Sequence, residues 1–311
     1  MVLERADVYG GTSAVSGGSM WIPNNRFMRE AGLSDSREDA LTYLRRTTLG
    51  LVPDALLKRY VDECVNAIAF IERETSIEFE ANLDHPDYQP RLPGAKDGGR
   101  TIQNGLYDTN RLGEYKPLLR RGRTASAPMT RVERDVRRLG KQINYDLPTV
   151  VSERVEKGIV SLGAGLVGEL LEACLRRGVR FERGVRARKL IAGDSGIAGG
   201  AVERAGERQR FEAGSGVVLG CGGFEWNAEL VRRLIGLPVT APASPPFNEG
   251  DGLLMASEVG AAIANTGEAW WNTMYQVPGD TYDGRQLSRP TSDIRGLPGM
   301  IMVNRHGRRF V

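Results

Sequence analysis

Glycines recur beside acidic, hydroxyl and aromatic residues at four places in this chain, and each grouping suggests a chemistry. The first is Glu4, followed by Gly10-Gly11-Thr12-Ser13 and Ser16-Gly17-Gly18. A carboxylate ending a short apolar strand can accept hydrogen bonds from both hydroxyls of a ribose. Glycines just after it let backbone N–H groups approach a phosphate or a flat ring, since no Cβ stands in the way. The same run also suits a plain strand-to-helix turn. The second is Val217-Val218-Leu219 running into Gly220-Cys221-Gly222-Gly223, then Phe224 and Asn227. It reads as a buried-type strand whose carboxyl end is open to a ligand, or as a tight βα turn. The third, Asn248-Glu249-Gly250-Asp251-Gly252, opens a helix. Asp251 either caps that helix or shares its N-terminus with a polar cofactor group. The fourth is His85-Pro86-Asp87-Tyr88-Gln89-Pro90, with Pro93-Gly94 and Gly98-Gly99-Arg100. Taken alone, Tyr88 reads as a surface tyrosine.

Strands and helices must carry these groups. Met1–Glu4 reads as the end of a strand. Ser36 and Asp39 have capping-box spacing, so a helix is expected to start near Ser36. A longer helix is expected from Pro53 to about Glu74, on the spacing of Leu57, Tyr60, Val61, Val65, Ile68 and Ile71. Residues 81–110 read as a long ordered loop. Arg120, Arg121, Arg123, Arg131, Arg134, Arg137 and Arg138 read as a solvated helix face. Leu166, Leu170, Leu171, Cys174 and Leu175 mark an amphipathic helix from Gly163, with Gly178 placed to end it. Short strands are expected around 179–182, 185–192, 197–204 and 208–213. Helices should follow over Asn227–Ile235 and from Gly252 to about Ala262. The tail reads as two strands, Met300–Asn304 and Arg309–Val311, joined at His306-Gly307.

Composition narrows the function classes. The chain has 311 residues, 41% of them hydrophobic, enough for a sizeable core. Its 42 basic and 39 acidic residues leave a charge of +3, too small to imply nucleic acid or an anionic membrane as partner. Only Lys58, Lys96, Lys116, Lys141, Lys157 and Lys189 are lysines; the other basic residues are arginines. No apolar run nears the roughly 20 residues that span a bilayer. Arg5 and Asp7 interrupt any signal-like segment, so a cytoplasmic protein is expected. Cys64, Cys174 and Cys221 form no CxxC pair, and the histidines are His85 and His306, which argues against a metal site or a disulfide framework. No GxSxG elbow accompanies the histidines, which argues against a serine hydrolase.

In this order and spacing the segments resemble the 3-ketosteroid dehydrogenases, a branch of the fumarate reductase/succinate dehydrogenase flavoprotein family. The family's GGTSALSGGxxWxPxN is matched by Gly10–Asn25, and its DYxPxxPG…GGR loop by Asp87–Arg100. Its D…LG…LR run is matched by Asp108, Leu112-Gly113 and Leu119-Arg120. Its TGGFxxN turn is matched by Cys221–Asn227, with Cys221 in place of Thr. GDG and AWW are matched by Gly250–Gly252 and Ala269–Trp271, and PGxIxVNxxGxRFV by Pro298–Val311. The family's first strand and GxGxxG loop would fall before Val2, and most of its second domain after Val311. The chain is therefore expected to be an internal stretch of such a protein or a gene record cut at both ends.

The resemblance implies an α/β, Rossmann-like FAD-binding domain over residues 1–264, with a helical insertion at about 35–145. Residues 265–311 would begin an α+β substrate domain. It implies extended FAD, with Glu4 on the adenosine ribose. Gly10, Gly11, Thr12, Ser13, Ser16, Gly17 and Gly18 would line pyrophosphate and flavin, Ala187 would touch adenine through its backbone, and Gly222, Gly223 and Asp251 would approach from the opposite side. The flavin would take a hydride from a ring carbon of a steroid-like ketone. Tyr88 would be a supporting catalytic residue, with the main base beyond residue 311 and the electron acceptor undefined. Trp270, Trp271 and Met274 would either wall a ring substrate or pack a core. The alternatives are fumarate-reductase-like reduction of a small unsaturated acid, which the two histidines and the AWW run count against, and a truncated flavin-fold remnant without turnover.

Overall fold

The computed structural model describes residues 1–122, 127–137, 146–194, 196–291 and 298–309. The chain divides into two compact units, Ser13–Val179 and Met1–Thr12 together with Arg180–Val311. It opens with β1 (Val2–Leu3) and the short helix α1 (Gly11–Val15).

The contiguous unit continues with β2 (Met20–Trp21), α2 (Arg26–Glu30), α3 (Arg37–Thr47) and α4 (Asp54–Glu74). Then come β3 (Phe79–Ala81), β4 (Thr101–Asn104), β5 (Tyr107–Asp108) and a 3-10 segment, Thr109–Leu118. It closes with α5 (Arg131–Val136), α6 (Leu147–Glu156), β6 (Ile159–Val160) and α7 (Leu162–Arg176). β4 lies between β2 and β3, antiparallel to both, and β5 pairs antiparallel with β6. Residues 81–110 are thus not one loop: β4 and β5 occupy their second half, because Ile102 alternates into the core and its neighbours pair on both sides. The sheet and α4 share a core of Ile22, Cys64, Ile68, Ile77, Phe79 and Ile102, joined by Leu166 and Leu170 of α7. A second cluster, Ala40, Leu41, Leu57 and Val61, joins α3 to α4.

Local chemistry sets the helix ends. Ser36 accepts from the Asp39 N–H and starts α3, but the Asp39 carboxylate turns to Lys96, so the cap is one-sided. α7 ends as expected at Gly178, with φ 72°. The Val179 N–H reaches the Cys174 carbonyl and the Gly178 N–H reaches that of Leu175, a Schellman closure.

In the other unit β7 (Phe181–Glu182) runs parallel to β1. β8 (Val185–Gly193), β9 (Gly196–Arg204) and β10 (Glu207–Glu212) form an antiparallel sheet in the order β10-β9-β8. α8 (Ala228–Leu230) runs into a π-turn over Val231–Ile235, followed by α9 (Asp251–Glu258) and the hairpin β11 (Met274–Tyr282) and β12 (Arg285–Pro290). The expected strand at Val217–Leu219 is absent. Val218 is 96% exposed, and no described strand pairs with the segment. An apolar run becomes a strand only when a neighbour takes its N–H and C=O groups. The tail keeps its turn at Gly307 and one bridge, Val303 to Arg309, while Phe310 and Val311 lie outside the described residues. No described helix is long and apolar enough to cross a membrane.

Glu169 is buried on α7, and burial raises its carboxyl from the ordinary 4.5 to about 7, with Glu172 adding and Arg111 opposing. The folded state therefore holds this proton more tightly than the unfolded chain, and the cost of ionising it accrues as pH rises from 4.5 to 7. Glu169→Gln is expected to be more stable than the parent by about 1–3 kcal/mol at pH 8, with the difference vanishing near pH 4. Urea midpoints of both proteins across that range check it.

Candidate cofactor and active site

In the unit that holds β1, Glu4 follows the strand directly. Its N–H donates to the Glu182 carbonyl at 2.8 Å and its carbonyl accepts from Val185 at 2.9 Å. The side chain curls back, Oε1 accepting from the Ala6 N–H at 2.8 Å, so the carboxylate stands at the carboxyl end of the parallel pair. Ala187 lies in β8 opposite Val202, beside an irregularity that leaves Arg188 without a ladder partner before Lys189 meets Ala201. Such a bulge withdraws backbone groups from a sheet's own pairing.

Three of the glycine segments converge in this unit through one residue. Asn248 is buried, and its Nδ2 donates to Thr12 Oγ1 at 3.0 Å and to Glu225 Oε1 at 2.8 Å. A Cβ on Gly222 would lie 2.6 Å from Asn248 Oδ1, so only glycine lets the turn close on it. The Gly250 N–H donates to the Gly223 carbonyl at 3.0 Å, Trp226 N–H to the Asn248 carbonyl at 3.0 Å, and Ser244 bonds Glu225. Cys221 packs on the start of α9, where a Cβ on Gly252 would stand 3.3 Å from its Sγ. Burial, then Asp251, then Glu4 raise the Cys221 thiol, which puts both carboxylates within electrostatic reach of one turn.

Asp251 is not a cap. Gly250, with φ 84°, is the N-cap of α9, and no side-chain cap bond forms. The Asp251 carboxylate is instead held by Arg186 at 2.5 and 2.8 Å and by Arg5 at 3.5 Å, with Glu249 sharing both guanidiniums. The sequence showed Asn248 only as the start of the Asn-Glu-Gly-Asp run, and the contacts of Asn248, Arg5 and Arg186 were not legible because no spacing links positions more than 60 apart.

In the contiguous unit Ser13–Gly18 wraps the start of α7. Ser16 Oγ accepts from the Gly18 N–H at 3.1 Å, and the Ser16 carbonyl accepts from Gly163 at 3.1 Å. A Cβ on Gly18 would fall 2.6 Å from the Leu162 backbone, and one on Gly163 would fall 2.1 Å from the Ser13 carbonyl, so close packing dictates both glycines.

Tyr88 projects from a loop with a buried base. Arg100, Asp35 and Asp87 have side chains only 1–2% exposed. Arg100 grips Asp35 through two bonds of 2.6 and 2.9 Å and reaches Asp87 at 2.8 Å and the Gly94 carbonyl at 2.9 Å. Trp21 Nε1 donates to Asp87 at 2.6 Å, and the guanidinium stacks 5.1 Å from the Trp21 ring. On the other side of Tyr88, the Gln89 N–H donates to the Tyr43 hydroxyl at 3.2 Å, while burial raises the Tyr43 phenol. The tyrosine between these anchors is 71% exposed, edge-on to His85 at 6.1 Å between ring centroids. Burial and then the Arg131 charge lower the His85 imidazole. Arg131 also lies against Gly17, its Nη2 3.7 Å from where a Cβ would stand. Arg131 thus borders Gly17, and His85 borders Tyr88. The arginine run is not a solvated helix face: Arg120 is buried, only Arg131 and Arg134 lie on α5, and Arg123 and Arg138 lie outside the described residues. Trp270 and Trp271 are exposed, at 84% and 52%, so neither packs a core among the described residues.

The donor set suits the FAD that the resemblance implies. A carboxylate ends a parallel strand for ribose hydroxyls, a bulged strand offers spare backbone groups, and Gly11 and Gly220 leave open space where a Cβ would project.

Comparisons with known proteins follow the same line. The sequence-family model described as FAD binding domain matches residues 1–311. The chain is 39% identical to the 4-oxocyclohexanecarboxylate 2-dehydrogenase of Sinomonas cyclohexanicum, over 100% of this chain and 54% of that protein. It is 28% identical to a 3-oxosteroid 1-dehydrogenase of Mycobacterium tuberculosis, over 100% of this chain and 57% of the relative. The chain spans about half the length of these curated relatives. Its fold resembles the crystal structure of 3-ketosteroid delta1-dehydrogenase from Sterolibacterium denitrificans in complex with 1,4-androstadiene-3,17-dione. There the TM-score is 0.83 and the identity 33%, over 90% of this chain and 54% of that one.

Removing one partner of the buried Arg100 group strands a charge. Asp35→Ala is expected to lower unfolding stability by about 3–5 kcal/mol and to speed amide exchange at Asp87 and Gln89. Denaturant unfolding and hydrogen exchange check it.

Proposed function

The chain belongs to the FAD-binding domain family, and from that premise we propose that it is the cofactor-holding part of a dehydrogenase acting on a ring ketone. The observation that carries this reading is Tyr88: an exposed phenol, fixed at the residues on both sides by a buried polar network. Steroid and oxocyclohexane dehydrogenases among the relatives share the ring ketone, so that is the substrate chemistry assigned here.

FAD, when bound, would supply the hydride acceptor for the ring carbon β to the ketone, while the carbon between them gives up its proton to a base. Glu4 holds the adenosine ribose, and the Ala187 backbone meets adenine. Gly10, Gly11, Thr12, Ser13, Ser16, Gly17 and Gly18 line pyrophosphate and flavin. Gly222 and Gly223 approach from the other side, with Asp251 locking their turn through Arg186. The Tyr88 hydroxyl donates to the ketone oxygen and stabilises the charge that grows there as the neighbouring C–H bonds break. The cofactor-binding assignment covers residues 1–264, with residues 265–311 opening the substrate domain. The protein works in the cytoplasm.

With the protein expressed from its own gene and loaded with FAD, an artificial dye should be reduced by ring ketones and not by succinate. Tyr88→Phe should slow turnover by about 10²-fold. Dye reduction by succinate alone, or an unchanged rate in Tyr88→Phe, would sink the reading.

A further inference from the structure

The hydrogen bonds around Asn248 have their direction fixed by groups that act in one sense only. An indole N–H is solely a donor, and a carboxylate is solely an acceptor. Trp226 Nε1 donates to Ser244 Oγ at 3.1 Å, so the Ser244 proton goes to Glu225 Oε1. The same carboxylate oxygen accepts from Asn248 Nδ2 at 2.8 Å. Glu225 therefore sets which way the amide faces: the NH2 meets the carboxylate, and Oδ1 lies against the turn, 2.6 Å from where a Cβ on Gly222 would stand. The second amide hydrogen goes to Thr12 Oγ1 at 3.0 Å. Asn248 and Ser244 are buried and Glu225 and Trp226 half-buried, whereas Thr12 is exposed. With its oxygen already accepting, the Thr12 hydroxyl keeps its own proton to give, and among the described residues no group takes it.

We propose that Glu225 is a positioning residue for the cofactor: through Asn248 it holds the Thr12 hydroxyl as a donor to the pyrophosphate of FAD. The proposal rests on the reading above that Thr12 lines the cofactor, and adds what fixes the sense of that contact. A threonine hydroxyl can donate or accept, but a phosphate oxygen answers only a donor. Gly10 and Gly11 precede Thr12 with φ of 120° and 49°, and Gly11 leaves open space where a Cβ would project, so an anion can come close to the chain here. The neutral amide between the two side chains has its own purpose. A carboxylate placed directly against Thr12 would take the hydroxyl proton and set a negative charge beside the phosphate. Asn248 passes on the orienting effect of Glu225 and keeps its charge one side chain further away.

The test is a double-mutant cycle on FAD affinity, read by titration calorimetry on the protein expressed from its own gene and stripped of flavin. Thr12→Val should weaken FAD binding by about 10-fold or more, and Thr12→Ser should not. Glu225→Met keeps the length of the side chain and removes the acceptor, and it should cost about as much as Thr12→Val; Glu225→Ala is the smaller second variant. Glu225→Gln can keep an acceptor oxygen at the same place and should retain most of the affinity. The double variant Thr12→Val with Glu225→Met should bind FAD no more weakly than the worse of the two single variants, because Glu225 acts only through the hydroxyl. ADP, which carries the pyrophosphate without the flavin, should lose affinity in the same ratios. Losses that add in the double variant keep Thr12 in the cofactor cradle and overturn the relay. A loss with FAD and none with ADP overturns the phosphate assignment. FAD binding that Thr12→Val leaves unchanged, or a parent protein that does not bind FAD, overturns the relay together with the reading of Thr12 on which it rests.

Discussion

Within the contiguous unit, much of the order rests on one guanidinium. Arg100 sits almost wholly out of water, held by Asp35 and Asp87 and roofed by Trp21 and Tyr43. A lone buried charge would cost several kcal/mol, so the fold must bring both aspartates to it. One comes from the entry to α3 and the other from the loop that ends in Tyr88. The two glycines before Arg100 make the approach possible. A Cβ on Gly98 would collide with the Leu83 carbonyl, and Gly99 has φ 88° against Met28. The loop over 82–100 is long, yet its middle is tied to three separate stretches of chain. Tyr88 is exposed without being loose.

The other unit repeats the device with a neutral group. Asn248 has an amide in place of a guanidinium, and it gathers Thr12, Gly222 and Glu225 around one side chain. Carboxylate, hydroxyl and glycine backbone are held in register before any cofactor arrives. The partly buried pairing of Asp251 and Glu249 with Arg5 and Arg186 adds a second tie, from β8 and the first loop to the start of α9. Such preorganisation spares a binding site the entropy of ordering its own walls.

α3 was legible in the sequence from its cap, α4 from its periodicity and α7 from its periodicity and closing glycine, because these signals are local. The strands β8 to β10 were legible for the same reason, with Gly and turn residues between them. Val217–Leu219 misled, since an apolar triplet says nothing about whether a partner strand lies alongside. The four glycine segments were visible as motifs, but their mutual contacts were not. Gly222 meeting Asn248, or Arg100 meeting Asp35, is a fact of tertiary packing between distant positions.

The division of the chain also sets an order of assembly. Ser13–Val179 is one unbroken stretch, whereas the other unit needs Val2 and Leu3 to meet Phe181 and Glu182. During synthesis at about 5–20 residues per second, β1 therefore waits roughly ten seconds or more for its partner, while the stretch between them already holds its own sheet and core. Closing the loop is then cheaper than the intervening length suggests, because the ends are tethered by a folded body and not by a flexible coil. Until that moment the side of β1 that Phe181 and Glu182 will cover stands open on the nascent chain, the kind of edge that chaperones shield.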